Sequence, residues 1–477
     1  MEIARWNQIK KYSSVAANIT LVLFVIYTVL MWEVSLKIKY DYIIIFAFAI
    51  FSFHAFVCMK SRGLTFFGRT DSLFSFVKPI DSVMAGFLML NALWIFAVPK
   101  LNHLPVSLAI QEAGILLMMV VYFPLAILIR MKEIHFASIK NVFLWTTFFL
   151  ACWYCVIWCA ELANQGTYEA FFGFLKRIAI FKVGSVYQGW SVFRIVLGNS
   201  VLLLPGLVLT VVRKKKMTPL GCVMTAVYTF AILSTFLKSL WIGLAFSMLV
   251  LFIYSLRVYR KQRLNSIIWG IAVICITVIV SNFTIFRGAV FSRALNSFTN
   301  HYFGQSATLP DESGKKDSSE SAFGKMVKDS SDSNTEKLIQ IKKLVSQWKQ
   351  KPLSGYGYGS YIHSYQRSKT AIYAYEMTSF ALLMKVGVLG IIFWFLFFFF
   401  FSRHVFRVTG NDRFHFAAWL AILIGFLISI QTNPLLITAN ALAMLTYLML
   451  DTVGSEEQKQ APLLQKNKLK IQGGHLI

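Results

Sequence analysis

Long apolar runs with few or no charges recur along the whole chain, each about 20 residues, and no other feature restricts the fold as much. An α-helix of about that length crosses roughly 30 Å of hydrocarbon, and it satisfies its own backbone N–H and C=O groups where no water can. Twelve such runs begin near Val15, Tyr40, Ser82, Val106, Val142, Gly189, Pro219, Ser239, Ser266, Glu376, Phe414 and Leu435. The expected fold is an all-α polytopic membrane protein of about 12 transmembrane helices. Composition agrees, with 57% hydrophobic and only 14% charged residues, against about 25% charged in soluble domains. Arg5, Lys10 and Lys11 precede the first run as they would in a signal peptide. That run is longer than a cleaved hydrophobic region and no small-residue cleavage site follows, so it is expected to stay as the first helix.

The net charge of +26 would suggest a nucleic-acid partner in a soluble protein. Its distribution gives a different reading. One alternating set of connections, with the two termini, holds 25 Lys and Arg, while the opposite short loops hold 7. By the positive-inside rule both termini are cytoplasmic and the long loop faces outward. The basic rows then serve as topology signals and contacts with anionic lipid head groups, with no nucleic acid required. The chain divides into helices 1–9 (1–283), an extracytoplasmic loop between helices 9 and 10 (284–375), helices 10–12 (376–453) and a cytoplasmic tail (454–477). All six cysteines fall in apolar runs, where packing explains them better than disulfides or a thiolate metal site.

Within the loop, 305–334 is polar and almost free of aromatics, as in disordered segments. Residues 335–351 read as an amphipathic helix, with Leu338, Ile341, Val345 and Trp348 at three- and four-residue steps and Pro352 ending it. Next comes Ser354-Gly355-Tyr356-Gly357-Tyr358-Gly359. Glycines at alternate positions allow tight turns and close approach to a ligand, and N–H groups exposed there would suit an oxyanion.

The remaining charges gather at the outer surface. Arg194 lies near the outer end of the sixth run, Lys238 in the turn between the seventh and eighth, and Arg287 and Arg293 after the ninth. Glu376 opens the tenth, and Lys385 lies nine residues further in, about 13 Å of helix rise. Ionisable groups at membrane depth cost roughly 2.5 to 3.5 kcal/mol on insertion scales, so they point to function unless paired or snorkelling. Cations and one carboxylate on one surface suit a polyprenyl-diphosphate-linked glycan: the cations offset charge on the departing diphosphate and the carboxylate takes a proton from an acceptor hydroxyl. No cluster of outward carboxylates or histidines offers a metal ligand set, His301 and His363 stand alone, and no cofactor is expected.

At these residues the sequence resembles the O-antigen ligase and polymerase superfamily of bacterial integral-membrane glycosyltransferases, whose fold is GT-C-like. Lys337 through Gly359 looks like that family's Arg-led helix followed by Pro-Leu-Leu-Gly-X-Gly-X-Gly. Glu376-Met377 through Leu382, Lys385 and Gly387-Val388-Leu389-Gly390 looks like its stretch from His-Asn to Gly-Leu-Ile-Gly-Leu. Arg194 before Gly198-Asn199, and Leu237-Lys238-Ser239 in place of a Ser-Arg-Gly turn, extend the likeness. Three positions depart from it, with Glu376 where ligases commonly carry a catalytic His and lysines for arginines at 238 and 337.

The resemblance implies an undecaprenyl-diphosphate-linked glycan as donor and a saccharide or lipid-A-core acceptor, with a chain-length regulator or flippase as protein partners. Glu376 would be the catalytic base, and Arg194, Lys238, Arg287, Arg293 and Lys337 would bind the diphosphate. Gly355, Gly357, Tyr358, Gly359 and Lys385 would line the approach. The departures tilt the reading from ligase toward repeat-unit polymerase. A transporter or flippase is the rival from another class, although many such folds have repeated halves and midplane sites and this chain shows no evident half-to-half repeat.

Overall fold

A computed structural model describes residues 2–30, 40–64, 76–163, 195, 198–213, 216–258, 261–286, 288–291, 322–366, 371–410, 413–431, 436–438 and 440–456. The helices, in chain order, are α1 (Glu2–Leu30), α2 (Tyr40–Ser61), α3 (Pro79–Leu101), α4 (Val106–Arg130), α5 (Phe136–Ala163), α6 (Leu203–Val212), α7 (Pro219–Ser234), α8 (Lys238–Val258), α9 (Lys261–Thr284), α10 (Ala322–Trp348), α11 (Thr378–Thr409), α12 (Arg413–Ser429) and α13 (440–456). Eight are long and apolar enough to cross a membrane, α6, α7 and α12 are shorter apolar helices, and no strand occurs among the described residues. Each apolar run of the sequence coincides with one of these helices, although the sixth is described only from residue 195. The chain is an all-α polytopic membrane protein.

Lipid gives helices no hydrophobic reason to associate, so close backbone approach and interhelical hydrogen bonds must hold them. α8 and α12 meet on such a surface. A Cβ at Gly243 would strike Ser429 and the Gly425 carbonyl, and one at Gly425 would strike Ser247. The serines add bonds across the seam, Ser247 Oγ to the Ala421 carbonyl at 2.8 Å and Ser239 Oγ to the Ser429 carbonyl at 2.9 Å. Gly206 of α6 fits in the same way against Tyr228 and Thr147, whose hydroxyls lie 2.8 Å apart.

Two helices are irregular where irregularity is used. In α3 the turn at Leu93–Ala97 widens to a π-turn, so the Val98 N–H bonds the Leu93 carbonyl. The Trp94 carbonyl is then left facing Pro99, which has no N–H to give. In α11, Gly387 leaves the helical region altogether at φ 64°, ψ −172°. The amphipathic helix expected over 335–351 spans Ala322–Trp348, so its first turns fall within the stretch expected to be disordered. Its last turn closes as expected before Pro352, whose carbonyl accepts from Trp348 Nε1 at 3.0 Å.

The helix ends away from the long loop carry ion pairs, buried at Asp81 and partly exposed at Glu133 and Glu456. Arg130 holds Asp81 at 2.5 Å, His404 meets Glu456 at 2.6 Å, and Lys10 and Arg62 both reach Glu133, at 2.7 and 2.5 Å. Burial alone would raise the Glu133 carboxyl, but hydrogen bonds from Lys10 and Arg62 outweigh it and hold it below the usual carboxylate range.

Candidate functional site

The site is framed by the turn between α7 and α8. Phe236 there adopts φ +52°, a left-handed conformation that a bulky residue keeps only when its surroundings enforce it. Leu237 N–H bonds Thr235 Oγ1 at 3.1 Å, and the Phe236 ring meets the Phe286 ring edge-on at 5.4 Å, tying the end of α9 to this turn. Ile195 N–H reaches the Ser234 carbonyl at 3.0 Å, so the entry to the sixth span joins the same turn.

A relay of hydrogen bonds leads from here to Glu376. Lys238 opens α8, and its neighbour Ser239 bonds the Ser429 carbonyl at the end of α12. One residue on, the Ile430 carbonyl accepts from Thr378 Oγ1 at 2.7 Å, and the Gln431 carbonyl accepts from Thr378 N–H at 3.1 Å. Thr378 is the first residue of α11, two after Glu376. Met377 N–H in turn donates to Oε1 of Gln340, at 2.9 Å, and Gln340 lies one turn along α10 from Lys337. The elements that carry Lys238, Lys337 and Glu376 therefore meet at one end of the helices, and all three residues are half-buried. Gln340 is fully buried, and its Nε2 has no hydrogen-bond partner among the described residues.

Residues 352–359 form a strap threaded through the break in α11. The Tyr356 and Gly357 N–H groups donate to the Met384 and Lys385 carbonyls, at 3.1 and 2.7 Å. In return the Val388 and Leu389 N–H groups donate to the Pro352 and Leu353 carbonyls, at 2.9 and 3.1 Å. The break at Gly387 thus frees helix carbonyls and amides, and the strap takes them up, as non-helical backbone buried in protein requires. On its other side the strap docks on the α3–α4 hairpin. Tyr358 N–H takes the spare Trp94 carbonyl at 3.0 Å, Trp94 Nε1 donates to the Ser354 carbonyl at 2.8 Å, and Tyr358 Oη donates to Asn91 Oδ1 at 2.9 Å. Gly355, Gly357 and Gly359 have φ of +65°, +92° and +75°. A Cβ on them would collide with the Lys385 carbonyl, Pro99 and Ala109 respectively.

Below the strap lies a buried ion pair between Lys385 and Glu112. The Lys385 ammonium also donates to the Tyr373 carbonyl at 2.7 Å and sits over the Tyr375 ring, 5.6 Å from its centre. Glu112 uses its second oxygen to accept the Gly359 N–H at 2.7 Å. One carboxylate therefore fixes the end of the strap, α11 and the turn leading into Glu376. Burial pushes the neighbouring Tyr375 phenol up to about 12, so it stays protonated at neutral pH. Its oxygen accepts the Ile362 N–H at 2.7 Å.

These positions change part of the sequence reading. The elements that carry Lys238, Lys337 and Glu376 meet, whereas Arg194, Arg287 and Arg293 lie outside the described residues. Lys385 is spent in the pair with Glu112, a residue that stands alone in an apolar run and gave no signal of its own. The N–H groups of Gly355 through Gly359 all go to protein acceptors, so the strap is a clasp between helices and has no open row of donors for an oxyanion. Gln340 was also missed, since a single glutamine on a helix face carries no pattern.

A family model described as O-antigen ligase matches residues 223–395, which takes in Lys238, α10, the strap, Glu376 and the break in α11. Among curated proteins, none matches the chain significantly. Its apolar helices make the chain a membrane protein, and residues 223–395 of it are similar to the O-antigen ligase family.

Proposed function

We propose that the protein is an inverting, metal-independent glycosyltransferase of the bacterial inner membrane, with both termini cytoplasmic, that uses an undecaprenyl-diphosphate-linked glycan on the outer face. The family match implies glycosyltransferase-like activity in general terms. The observation that carries the finer reading is the hydrogen-bonded relay that gathers the elements bearing Lys238, Lys337 and Glu376.

In this reading Glu376 accepts the proton of an acceptor hydroxyl as that oxygen bonds to the anomeric carbon. The carbon–oxygen bond to the diphosphate breaks on the opposite side and its electrons leave with the polyprenyl diphosphate. Lys238 and Lys337, joined by Arg194 and Arg293 and more weakly by Arg287, offset the developing charge. Lysine does this as a point charge without the bidentate fork of arginine. Cations thus take the place a metal would otherwise fill. Among the described residues, the group of three close metal-ligating side chains, His54, Cys58 and Glu133, lies at the far end of the helices.

Glu376 in place of histidine favours a polymerase of repeat units, with a lipopolysaccharide O-antigen ligase as the second reading. The surface glycans of a deletion strain separate them. Attachment of single repeats only is expected for a polymerase, and loss of all attached repeats would make it a ligase. Normal glycans, or substrate uptake into vesicles without transfer, would contradict a transferase and support a transporter or flippase.

A further inference from the structure

At the end of the helices opposite the strap, two cavities of about 160 Å³ each flank Arg213. One lies between α5, α6, α12 and α13 and is lined by the polar Lys140, Arg213, His415 and Asp451 and by the apolar Leu209, Ala418 and Ile422. The other lies between α5, α6, α7 and α9 and is lined by Arg213, Lys216, Thr218, Trp145, Met224 and Ser266. Each has room for far more than one water. Asp451 is held by His415 at 2.8 Å, and among the described residues no carboxylate lies within ion-pair distance of Lys140 or Arg213.

We propose that the first cavity binds the phosphate of an anionic phospholipid. Basic pockets between transmembrane helices, with an apolar slot below, suit a lipid-borne phosphate. Lys140 and Arg213 hold the phosphate, and an acyl chain follows Leu209, Ala418 and Ile422 into the apolar part. Two cations on the lining exceed its one carboxylate, which His415 already engages. Arg213 is shared by both cavities, so one head group placed over it reaches Lys216 as well. The site is distinct from the one at Glu376 and does not depend on what that one does.

Native mass spectrometry of the full-length protein in detergent, with added phosphatidylglycerol, phosphatidylcholine or inorganic phosphate, tests this. Wild type is expected to retain phosphatidylglycerol over phosphatidylcholine, and K140A/R213A is expected to lose about 30-fold of that preference. The charge-preserving K140R/R213K should keep the preference, which separates loss of the site from loss of folding. Inorganic phosphate should not displace the lipid. Equal retention of the two lipids, an unchanged K140A/R213A variant, or displacement by millimolar phosphate would each overturn the proposal.

Discussion

At the scale of single residues, Glu112 illustrates how a buried charge acquires a role through its partners. One of its oxygens takes the Lys385 ammonium and the other the Gly359 N–H, so its removal leaves a cation and an amide unpaired inside the protein. Losing one member of a buried pair typically costs about 3–5 kcal/mol, whereas replacing both by apolar groups is often close to neutral. Glu112→Leu is therefore expected to lower thermal stability in detergent sharply, and Glu112→Leu with Lys385→Met to recover most of it. A single variant as stable as wild type would show that the pair does not hold the strap. Neither residue's partnership was legible beforehand. Glu112 and Lys385 are 273 positions apart, and each stands alone in its own apolar run.

At the scale of elements, the sequence pattern told much about α11 and concealed its main feature. From Phe380 to Phe401 the one charged residue is Lys385, and an apolar run of that length in lipid has one ordinary outcome, a helix. The break at Gly387 is invisible in such a run because the groups that compensate it come from the strap, more than 25 residues upstream. The alternate glycines of the strap were visible, but their purpose was not. Close approach to the helix backbone, and not to an anion, accounts for Gly355 and Gly357. Gly355→Ala combines a left-handed φ with a backbone collision and should cost at least ~2 kcal/mol. Hydrogen exchange should then show residues 352–359 unprotected while α8 and α12 stay protected. Gly288 provides the contrast, since its φ is also positive but nothing lies within 4 Å of an added Cβ, and alanine there should cost about 1 kcal/mol. Equal protection of the strap in Gly355→Ala and wild type would contradict the clasp.

At the scale of the whole molecule, the apolar helices were legible because apolar length is a local rule. The meeting of the elements that carry Lys238, Lys337 and Glu376 follows from no local rule. It needs the α8–α12 seam to place Ser429 beside Ser239, and it needs Gln340 to reach Met377. The opposite end of the bundle carries a pH signature. Lys10 and Arg62 depress the Glu133 carboxyl, so its contribution to stability is present above the unfolded glutamate value near ~4.3 and is lost as pH falls through the lower folded value. Thermal unfolding followed from pH 7 to pH 3 should show this loss in wild type, roughly 1 kcal/mol for partly exposed partners, and Glu133→Gln should lack that increment. The same increment in both would remove Glu133 from the cause.

The most direct measurement compares Glu376→Gln with wild type in glycan transfer, alongside the amount of each protein in the membrane. The carboxylate is the proposed proton acceptor, and glutamine keeps its size without its basicity. Polymer or ligated glycan should disappear while the protein remains in the membrane at wild-type level. Glycan of normal length and yield from Glu376→Gln would contradict the assignment.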